Sequence, residues 1–264
     1  MLRDPNATVE AITRWIRSYF DGACPKGRAV VGISGGKDSS CVATLCVRAL
    51  GRDRVLGVLM PNGVQSDIDD ARRVVSTLGI AGVTMNIGRT VSAALDMFED
   101  SAELSSVTGL DGLSRDGRIN LPARIRMATL YAIAQSLPHG GLVMNTCNRS
   151  EDYVGYSTKY GDAAGDLAPI SGLVVEEVRQ VGRALGLPAD LVGKPPSDGL
   201  SGMDDEQKLG FAYEVLDRYI LTGACADEAT RRRIDVMHVR NLHKLQTIPA
   251  YEVAAGERVA GDEA

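Results

Sequence analysis

The sequence predicts an α/β fold in which helices flank both faces of a parallel sheet and a helical C-terminal extension follows. Short apolar runs rich in β-branched residues, such as RAVVGI over 28–33, indicate strands that are buried on both faces. Segments with apolar residues at helical spacing alternate with these runs, and this alternation is typical of parallel sheets. After Pro188 the patterns are mainly helical.

The individual elements follow from the same patterns in chain order. Helices are expected over 7–20, 39–49, 66–79, 90–104 and 121–137, and strands over 28–33, 55–60, 83–87 and 141–146. The helix over 66–79 carries acidic residues in its first turn, where they complement the helix dipole. In the C-terminal extension the clearest amphipathic segment is KLGFAYEVLDRYI, over 208–220.

Two segments lack a regular pattern. Residues 105–120 are rich in Gly, Ser and Asp, and they predict a mobile loop. Residues 193–207 combine Pro, Gly and Ser, and they predict a second irregular loop. Neither segment separates two independent cores, so we expect a single domain over 1–264.

Composition excludes several classes of function. The net charge of −5 provides no basic field that would attract nucleic acid or an anionic membrane. No apolar run approaches the ~20 residues of a membrane span, and the first residues lack the pattern of a signal peptide. The five cysteines contain no C-x-x-C pair, which indicates reduced thiols and a cytoplasmic protein.

The stretch GISGGKDSS, over 32–40, lies between the first predicted strand and the next helix. Ligands of open parallel sheets bind at the carboxyl ends of the strands. Adjacent glycines let an anion approach the backbone N–H groups, and the helix N-terminus adds partial positive charge. Asp38 stands where a Walker-type loop requires a hydroxyl residue. Without a ligand, the same residues would form a tight turn capped by Asp38 or Ser39.

The string SGGKDSS resembles the SGGxDS motif of the ATP pyrophosphatases, which cleave ATP between its α and β phosphates. The resemblance implies that Asp38 helps to hold Mg²⁺ on the departing pyrophosphate. GMP synthetases, asparagine synthetases, tRNA-thiolating enzymes and NAD synthetases share this motif, so the motif alone does not select among them.

Four further segments look like those of ammonia-dependent NAD synthetases. They are NLPARIRM (120–127), NTCNRSEDYVGYSTKYGDAAGD (145–166), KPPSDGLSGMDDEQKLGFAYEVLD (194–217) and HKLQTIPAY (243–251). The resemblance runs in order from about residue 8 to 251 and implies a Rossmann-like fold of the adenine nucleotide alpha-hydrolase type. It also implies a ligase that forms NAD from nicotinic acid adenine dinucleotide (deamido-NAD), ATP and ammonia. The reaction would pass through an adenylated intermediate and release AMP and pyrophosphate.

The same resemblance assigns roles to residues by position. It implies ATP contacts for Gly32, Ile33, Ser34, Gly35, Gly36, Lys37, Asp38, Ser39, Met60, Thr146 and Ser197. It implies Mg²⁺ ligands at Asp38 and Glu151, and deamido-NAD contacts at Arg126, Lys159, Asp166, His243 and Lys244. Asp38, Lys159 and Asp166 are the expected catalytic residues: Lys159 would offset negative charge, and Asp166 is a candidate proton acceptor.

One position departs from the family pattern. Some family members have an ATP-contacting lysine where this chain has Val175. Either Lys37 or Lys194 supplies that charge here, or ATP is held with one contact fewer.

Several of these residues also have a purely structural interpretation. Glu151 could cap a helix, Lys159 could be a solvated loop residue, and the pair His243–Lys244 could lie on the surface near a helix end. The position of Glu151 directly after a predicted strand favours a functional role, whereas the other assignments depend on the resemblance.

Other polar residues are interpreted from their local context. Arg124 and Arg126 lie two apart on one helix and cannot share a face, so we predict that Arg126 points into the site. Cys147 is expected to be a small buried thiol, and His139 a loop residue. The run RRRIDV over 231–236 indicates a solvated helix face.

Two competing functions remain open. Enzymes that thiolate tRNA often have a cysteine pair and a basic surface, which this sequence lacks. A nucleotide-binding sensor on the same scaffold would bind ATP and release no pyrophosphate. The length leaves no room for a glutaminase domain of ~250 residues, so free ammonia is the expected nitrogen donor, with a separate glutaminase subunit as the alternative. The family forms homodimers, and the helix over 121–136 is the expected interface.

Overall fold

Four parallel strands form the centre of the computed structural model, which describes residues 1–65, 68–194 and 205–253. The strands lie in the order β3–β2–β1–β4, with bounds β1 Arg28–Gly32, β2 Val55–Leu59, β3 Ala81–Thr84 and β4 Gly141–Met144. Val30 of β1 lies opposite Leu56 on one side and Val143 on the other. The predicted parallel sheet is confirmed.

The described helices are α1 Pro5–Ala23, α2 Lys37–Leu50, α3 Ile68–Leu78, α4 Gly88–Glu99, α5 Ala102–Thr108, α6 Arg115–Ser136, α7 Arg149–Val154, α8 Val175–Ala184, α9 Ala189–Val192, α10 Asp205–Leu209, α11 Tyr213–Thr222 and α12 Glu228–Asn241. Two short 3₁₀ helices lie at Arg52–Arg54 and Leu242–Lys244. This alternation of strands and helices matches the α/β class that the sequence predicts.

Helices cover both faces of the sheet because successive strand side chains point to opposite sides. Val31 of β1 packs in a cluster with Ile16 and Phe20 of α1 and with residues of α2 and α8. The adjacent Val30 packs on the other face with Val91 of α4 and Ala134 of α6. Each such side chain, when fully buried, contributes about 1.5–3 kcal/mol relative to exposure.

The C-terminal extension has a smaller core of its own that packs on α7. Its buried members come from five helices and from the link between two of them: Val154, Val175, Leu209, Phe211, Tyr213, Leu216 and Ile234. Because α7 follows β4 directly, this cluster supports the segment at the carboxyl end of β4. The extension is therefore part of the framework of that edge.

The mobile loop predicted over 105–120 is wrong for most of its length. Helix α5 continues to Thr108 and α6 begins at Arg115. The side chains of Ser101 and Ser114 cap the two helices by accepting bonds from Leu104 N and Gly117 N. Serine in these positions satisfies orphan N–H groups of a helix, so a serine-rich stretch can mark helix starts as well as loops.

Other boundaries differ less. The strand predicted over 83–87 begins at 81 and ends at 84. After its end, Ile87 N still donates to Pro61 O at 2.9 Å, so hydrogen bonding to the segment after β2 continues past β3. The amphipathic segment 208–220 is broken at Gly210, whose φ of +79° ends α10 before α11 begins. Residues 205–207, predicted as loop, belong to α10, and residues 195–204 lie outside the described ranges.

Candidate active site

The phosphate-binding loop predicted from GISGGKDSS joins β1 to α2 at the carboxyl end of the central strand. Gly35 has φ +81°, and a Cβ there would lie 2.7 Å from Ala71 N, so glycine is required on both counts. Ser39 Oγ accepts from Ser34 N at 3.3 Å, and Ser40 Oγ donates to Gly36 O at 2.7 Å. These bonds hold the loop against the N-terminus of α2, where helix N–H groups favour an anion.

Asp38 lies in the first turn of α2, and both of its carboxylate oxygens have partners. Lys37 Nζ donates to Asp38 Oδ2 at 2.7 Å, and Asn148 Nδ2 donates to Asp38 Oδ1 at 3.3 Å. Lys37 is only 3% exposed and Asn148 is fully buried. Burial would lower the pKa of Lys37, but the carboxylates of Asp38 and Glu151 outweigh it, and the pKa is raised.

Glu151 lies on α7 and belongs to the same charged cluster. Asn148 N donates to Glu151 Oε2 at 3.3 Å, and Glu151 N donates to Asn148 Oδ1 at 3.1 Å, which together make a capping box. The structural interpretation of Glu151 as a cap is therefore correct. Burial, with the nearby Asp38 charge, raises the pKa of Glu151 to about 8, and Lys37 opposes this rise.

Two residues that the sequence analysis did not assign complete this cluster. Asn148 contacts Asp38 with its side chain and Glu151 with its backbone N–H. Tyr213 is 1% exposed, and its hydroxyl has no hydrogen-bond partner among the described residues. Burial raises the pKa of Tyr213, and the charges of Glu151, Asp205 and Asp38 raise it further. Only the fold brings these residues, which are far apart in the chain, to one place.

Arg126 lies near the carboxyl end of β2. Its Nε donates to the backbone oxygen of Met60 at 3.1 Å, and burial lowers the pKa of its guanidinium while the Asp162 charge opposes this. Arg124 has a different backbone partner and donates to Lys159 O at 3.3 Å. That Arg126 is the arginine that points into the site stays a prediction.

Lys159 and the pair His243–Lys244 lie together although 84 residues separate Lys159 from His243. Lys159 Nζ is 3.5 Å from His243 Nδ1 and 5.2 Å from the centre of the Tyr160 ring. Lys244 Nζ donates to Gly155 O at 2.6 Å and to Ser157 O at 2.9 Å. Tyr160 is 52% exposed and has a φ of +58°, a backbone strain of the kind that clusters at ligand sites.

Asp166 lies beside β4, where its carboxylate binds the strand. Val143 N donates to Asp166 Oδ2 at 2.7 Å, and the Tyr131 hydroxyl donates to Asp166 Oδ1 at 3.4 Å. One carboxylate oxygen of Asp166 thus fixes the backbone of β4. Its predicted role as a proton acceptor stays a prediction.

Asp162 is the residue near the acceptor side that the sequence analysis missed. Burial lowers the pKa of Arg126 and of Lys244, and the negative charge of Asp162 opposes this lowering. Burial raises the pKa of Asp152, and the Asp162 charge raises it further. It lies in the YGD part of a segment already singled out, yet nothing in its spacing distinguished it from other loop aspartates.

Three further predictions have structural outcomes. Cys147 is buried, and burial raises its pKa well above the usual value, as expected of a structural thiol. Val175 is fully buried in the C-terminal cluster. Lys37 and Lys194 are the two candidates to replace the lysine that some family members have at position 175. Lys37 pairs with Asp38, and Lys194 Nζ donates to Asp70 Oδ2 at 2.7 Å. Ser197 lies outside the described residues.

Mg²⁺ is compatible with this donor set. Within the described ranges, no three His, Cys, Asp or Glu residues are grouped so as to enclose a metal ion. Mg²⁺ usually binds one or two protein carboxylates and completes its shell with water and substrate phosphates. Asp38 and Glu151, beside a phosphate loop, provide that arrangement.

A glycine-rich loop at the carboxyl end of a parallel strand, with two carboxylates beside it, is typical of α/β enzymes that use nucleotides. The chain belongs to the NAD synthase family, whose model matches residues 8–251. This match confirms the predicted family and fold. No helix in the described part of the chain has the length and apolar character needed to cross a bilayer.

Individual relatives agree with the family match. The NH₃-dependent NAD⁺ synthetase of Pyrococcus furiosus is 40% identical over 212 residues, which are 80% of this chain and 77% of the relative. The solved NMN synthetase from Francisella tularensis has a TM-score of 0.81 and 29% identity, covering 95% of this chain and 99% of that one. The NH₃-dependent NAD synthetase from Campylobacter jejuni has a TM-score of 0.72 and 26% identity, covering 95% and 100%.

Proposed function

We propose that this chain amidates deamido-NAD to NAD with ATP and free ammonia. Its membership of the NAD synthase family and its similarity to an NH₃-dependent relative support this activity. The observation that carries the proposal at the level of residues is the cluster of Asp38, Asn148 and Glu151 beside the phosphate loop. A nucleotide sensor without chemistry would have no need of two carboxylates at that place.

In this proposal the loop 32–39 binds the phosphates of ATP, with Met60, Thr146 and Ser197 as further ATP contacts. Asp38 and Glu151 hold Mg²⁺, which supplies charge neutralisation on the departing pyrophosphate. Asn148 keeps the two carboxylates in their relative positions. Burial, with the neighbouring Asp38 charge, raises the pKa of Glu151.

The acceptor is bound by the second group of residues: Arg126, Lys159, Asp166, His243 and Lys244. Lys159 is partly exposed and close to an aromatic ring, so it can reach an anionic substrate. Asp162 adds a negative charge near Arg126 and orders the loop through a bond from Thr158 N at 2.8 Å. In this proposal, phosphate chemistry and acceptor recognition use different residues of one site.

The chemistry follows from the poor reactivity of a carboxylate. An oxygen of the nicotinate carboxylate attacks the α-phosphorus of ATP, the bond to the bridging oxygen breaks, and pyrophosphate leaves. Ammonia then attacks the carbonyl carbon of the mixed anhydride, AMP leaves, and one proton is released. Lys159 offsets negative charge in the first step, and Asp166 is the proposed acceptor of the proton.

The remaining features of the proposal concern organisation. We propose a single-domain cytoplasmic protein that acts on small molecules and assembles as a homodimer, with neither nucleic acid nor membrane as partner. Helix α6 is the proposed interface: among its 22 residues only Pro122 and Ala134 are buried, and Ile119 is 46% exposed. A sedimentation measurement that gives a monomer at working concentration would contradict this assembly.

A second candidate substrate is nicotinic acid mononucleotide. The solved NMN synthetase from Francisella tularensis has a higher TM-score than the NAD synthetase from Campylobacter jejuni. Both acceptors carry the same nicotinate carboxylate, so the same activation serves either one. The greater sequence identity to a curated NAD synthetase favours the dinucleotide.

The test is pyrophosphate release with ATP, Mg²⁺ and ammonium, measured with deamido-NAD, with the mononucleotide and with neither. Release that requires deamido-NAD and yields NAD and AMP supports the proposal, and a higher kcat/KM with the mononucleotide favours the second candidate. Glutamine in place of ammonium should give no product. ATP binding without release under any of these conditions would favour a sensor.

A further inference from the structure

Lys37 occupies an unusual place for a lysine. Its side chain is 2% exposed, although lysine is almost never buried without a partner, and its ammonium lies 2.7 Å from Asp38 Oδ2. It follows two glycines at the start of α2, so its backbone belongs to the phosphate loop. Its charged end therefore lies among the carboxylates and not in solvent.

The charge of Lys37 compensates the acidic residues around it. Asp38 and Glu151 are both carboxylates in a largely desolvated cluster, and buried charges without partners are strongly destabilising. Asn148 supplies hydrogen bonds to both residues but no charge. Arg179 also acts on Lys37 electrostatically, yet its guanidinium pairs with Glu176 at 3.3 Å.

We propose that Lys37 is a built-in counter-cation that a divalent metal ion displaces from Asp38 when nucleotide phosphates bind. This inference rests on the metal site of the proposed function. Without nucleotide, Mg²⁺ must break the Lys37–Asp38 pair and place two cationic groups close together. With nucleotide, the phosphates accept the ammonium, and the metal ion takes its place at the carboxylates.

The exchange makes metal and nucleotide binding cooperative. Each ligand removes part of the cost of binding the other, and such coupling is reciprocal. Loss of the lysine charge should therefore have two opposite effects. Metal binding without nucleotide becomes tighter, and the gain in metal affinity that nucleotide provides becomes smaller.

The decisive experiment is a Mn²⁺ titration followed by electron paramagnetic resonance, without nucleotide, on the wild type, Lys37→Met and Lys37→Gln. We expect both variants to bind Mn²⁺ on the order of tenfold more tightly than the wild type. Lys26→Met is the matched control, because Lys26 is exposed at the opposite end of β1. It should bind Mn²⁺ as the wild type does.

Thermal unfolding provides a second readout that is independent of catalysis. In EDTA, Lys37→Met should unfold at a lower temperature than the wild type, because the Asp38 carboxylate loses its counter-cation. Addition of Mn²⁺ should raise its melting temperature by more than it raises that of the wild type. Lys37→Gln tests the same exchange if Met disturbs the packing.

Asp38→Asn separates the failure of this inference from the failure of the metal site. If Asp38→Asn weakens Mn²⁺ binding but both Lys37 variants bind no more tightly than the wild type, the counter-cation role is wrong and the metal site stands. If Asp38→Asn in the Lys37→Met background leaves Mn²⁺ affinity unchanged, the metal site is wrong and this inference fails with it.

Discussion

The proposed site has two halves that differ in how much protein surrounds their charged groups. The phosphate-loop half contains Lys37, Asp38, Asn148 and Glu151, and the acceptor half contains Arg126, Lys159, Asp166, His243 and Lys244. In the first half, Lys37 is 3% exposed and its ion pair with Asp38 is 2.7 Å long. In the second half, Tyr160 is 52% exposed and Lys159 Nζ lies 3.5 Å from His243 Nδ1. The ammonium of Lys37 thus has a buried, short contact, whereas the contacts around Lys159 are longer and more open to solvent.

The difference indicates which part of the site is fixed before a ligand binds. Buried charges need fixed partners, so the phosphate-loop half is coupled to the stability of the fold. Exposed ion pairs contribute little to the stability of the fold, so the residues of the acceptor half need not be fixed before their ligand binds. Substitutions in the first half should affect catalysis and folding, whereas those in the second half should affect substrate binding and catalysis with little effect on folding.

The largest effect is expected from Asp38→Asn. The substitution keeps the shape of the side chain and removes the charge that would bind Mg²⁺, so pyrophosphate release should fall by roughly 10³-fold or more. Circular dichroism should show an intact fold. Asp53→Asn, at an exposed position before β2, is the matched control and should remain active. Full activity in Asp38→Asn would contradict the metal assignment.

A smaller effect is expected from Asn148→Ala. Asn148 contributes both to the candidate metal site and to the stability of the fold. The variant loses the bond to Asp38 and the cap of α7, so turnover should fall by about 10–100-fold and stability by about 1 kcal/mol. Asp227→Ala removes the N-cap of α12, which accepts from Thr230 N at 2.9 Å, without touching the site. Equal losses of activity in both variants would mean that Asn148 acts only through stability.

Lys159→Met tests the open half. The KM for deamido-NAD should rise by about tenfold, in line with the loss of one hydrogen bond or ion pair to a ligand. The kcat should fall as well, because Lys159 offsets negative charge in the first step of the proposed reaction. The KM for ATP and the melting temperature should remain those of the wild type, because Lys159 contributes little to packing. An increase in the KM for ATP of the same size would show that the two halves are not separate.

The smallest effect is a pH dependence of stability in metal-free protein. The pKa of Glu151 is raised from 4.5 to about 8, so the folded state retains a proton that the unfolded chain releases. Stability from this group is full below about pH 4.5 and is lost as the pH rises to about 8. Melting temperatures measured across that range should fall by a few degrees.

Glu151→Gln is the control for that titration. It should remove the decline between about pH 6 and pH 8. A decline below pH 6 should persist, because burial, with the nearby Asp162 charge, raises the pKa of Asp152 to about 6. An unchanged slope between pH 6 and pH 8 in Glu151→Gln would show that another group titrates there.

Local patterns in the sequence predicted the strands and the loop of the buried half. β1 and β2 follow from runs of β-branched residues, and the glycines at 35 and 36 follow from the need for backbone N–H groups near an anion. The same composition-based reasoning was wrong for most of 105–120, where Ser114 caps the start of α6. Composition reports an average over a stretch, whereas a cap depends on one side chain and one N–H group.

By itself, the sequence determined the α/β class and the family, and it marked the segment between β1 and α2 as the candidate phosphate loop. Each of these depends on residues that are near in the chain or on a fixed order of motifs. The tertiary structure decided that Asn148 joins Asp38 to Glu151, that Tyr213 lies among these acids and that Lys37 points inward. The bond between Asn148 and Asp38 joins residues 110 positions apart, and only the packing of α7 and the C-terminal helices against the sheet brings such residues together.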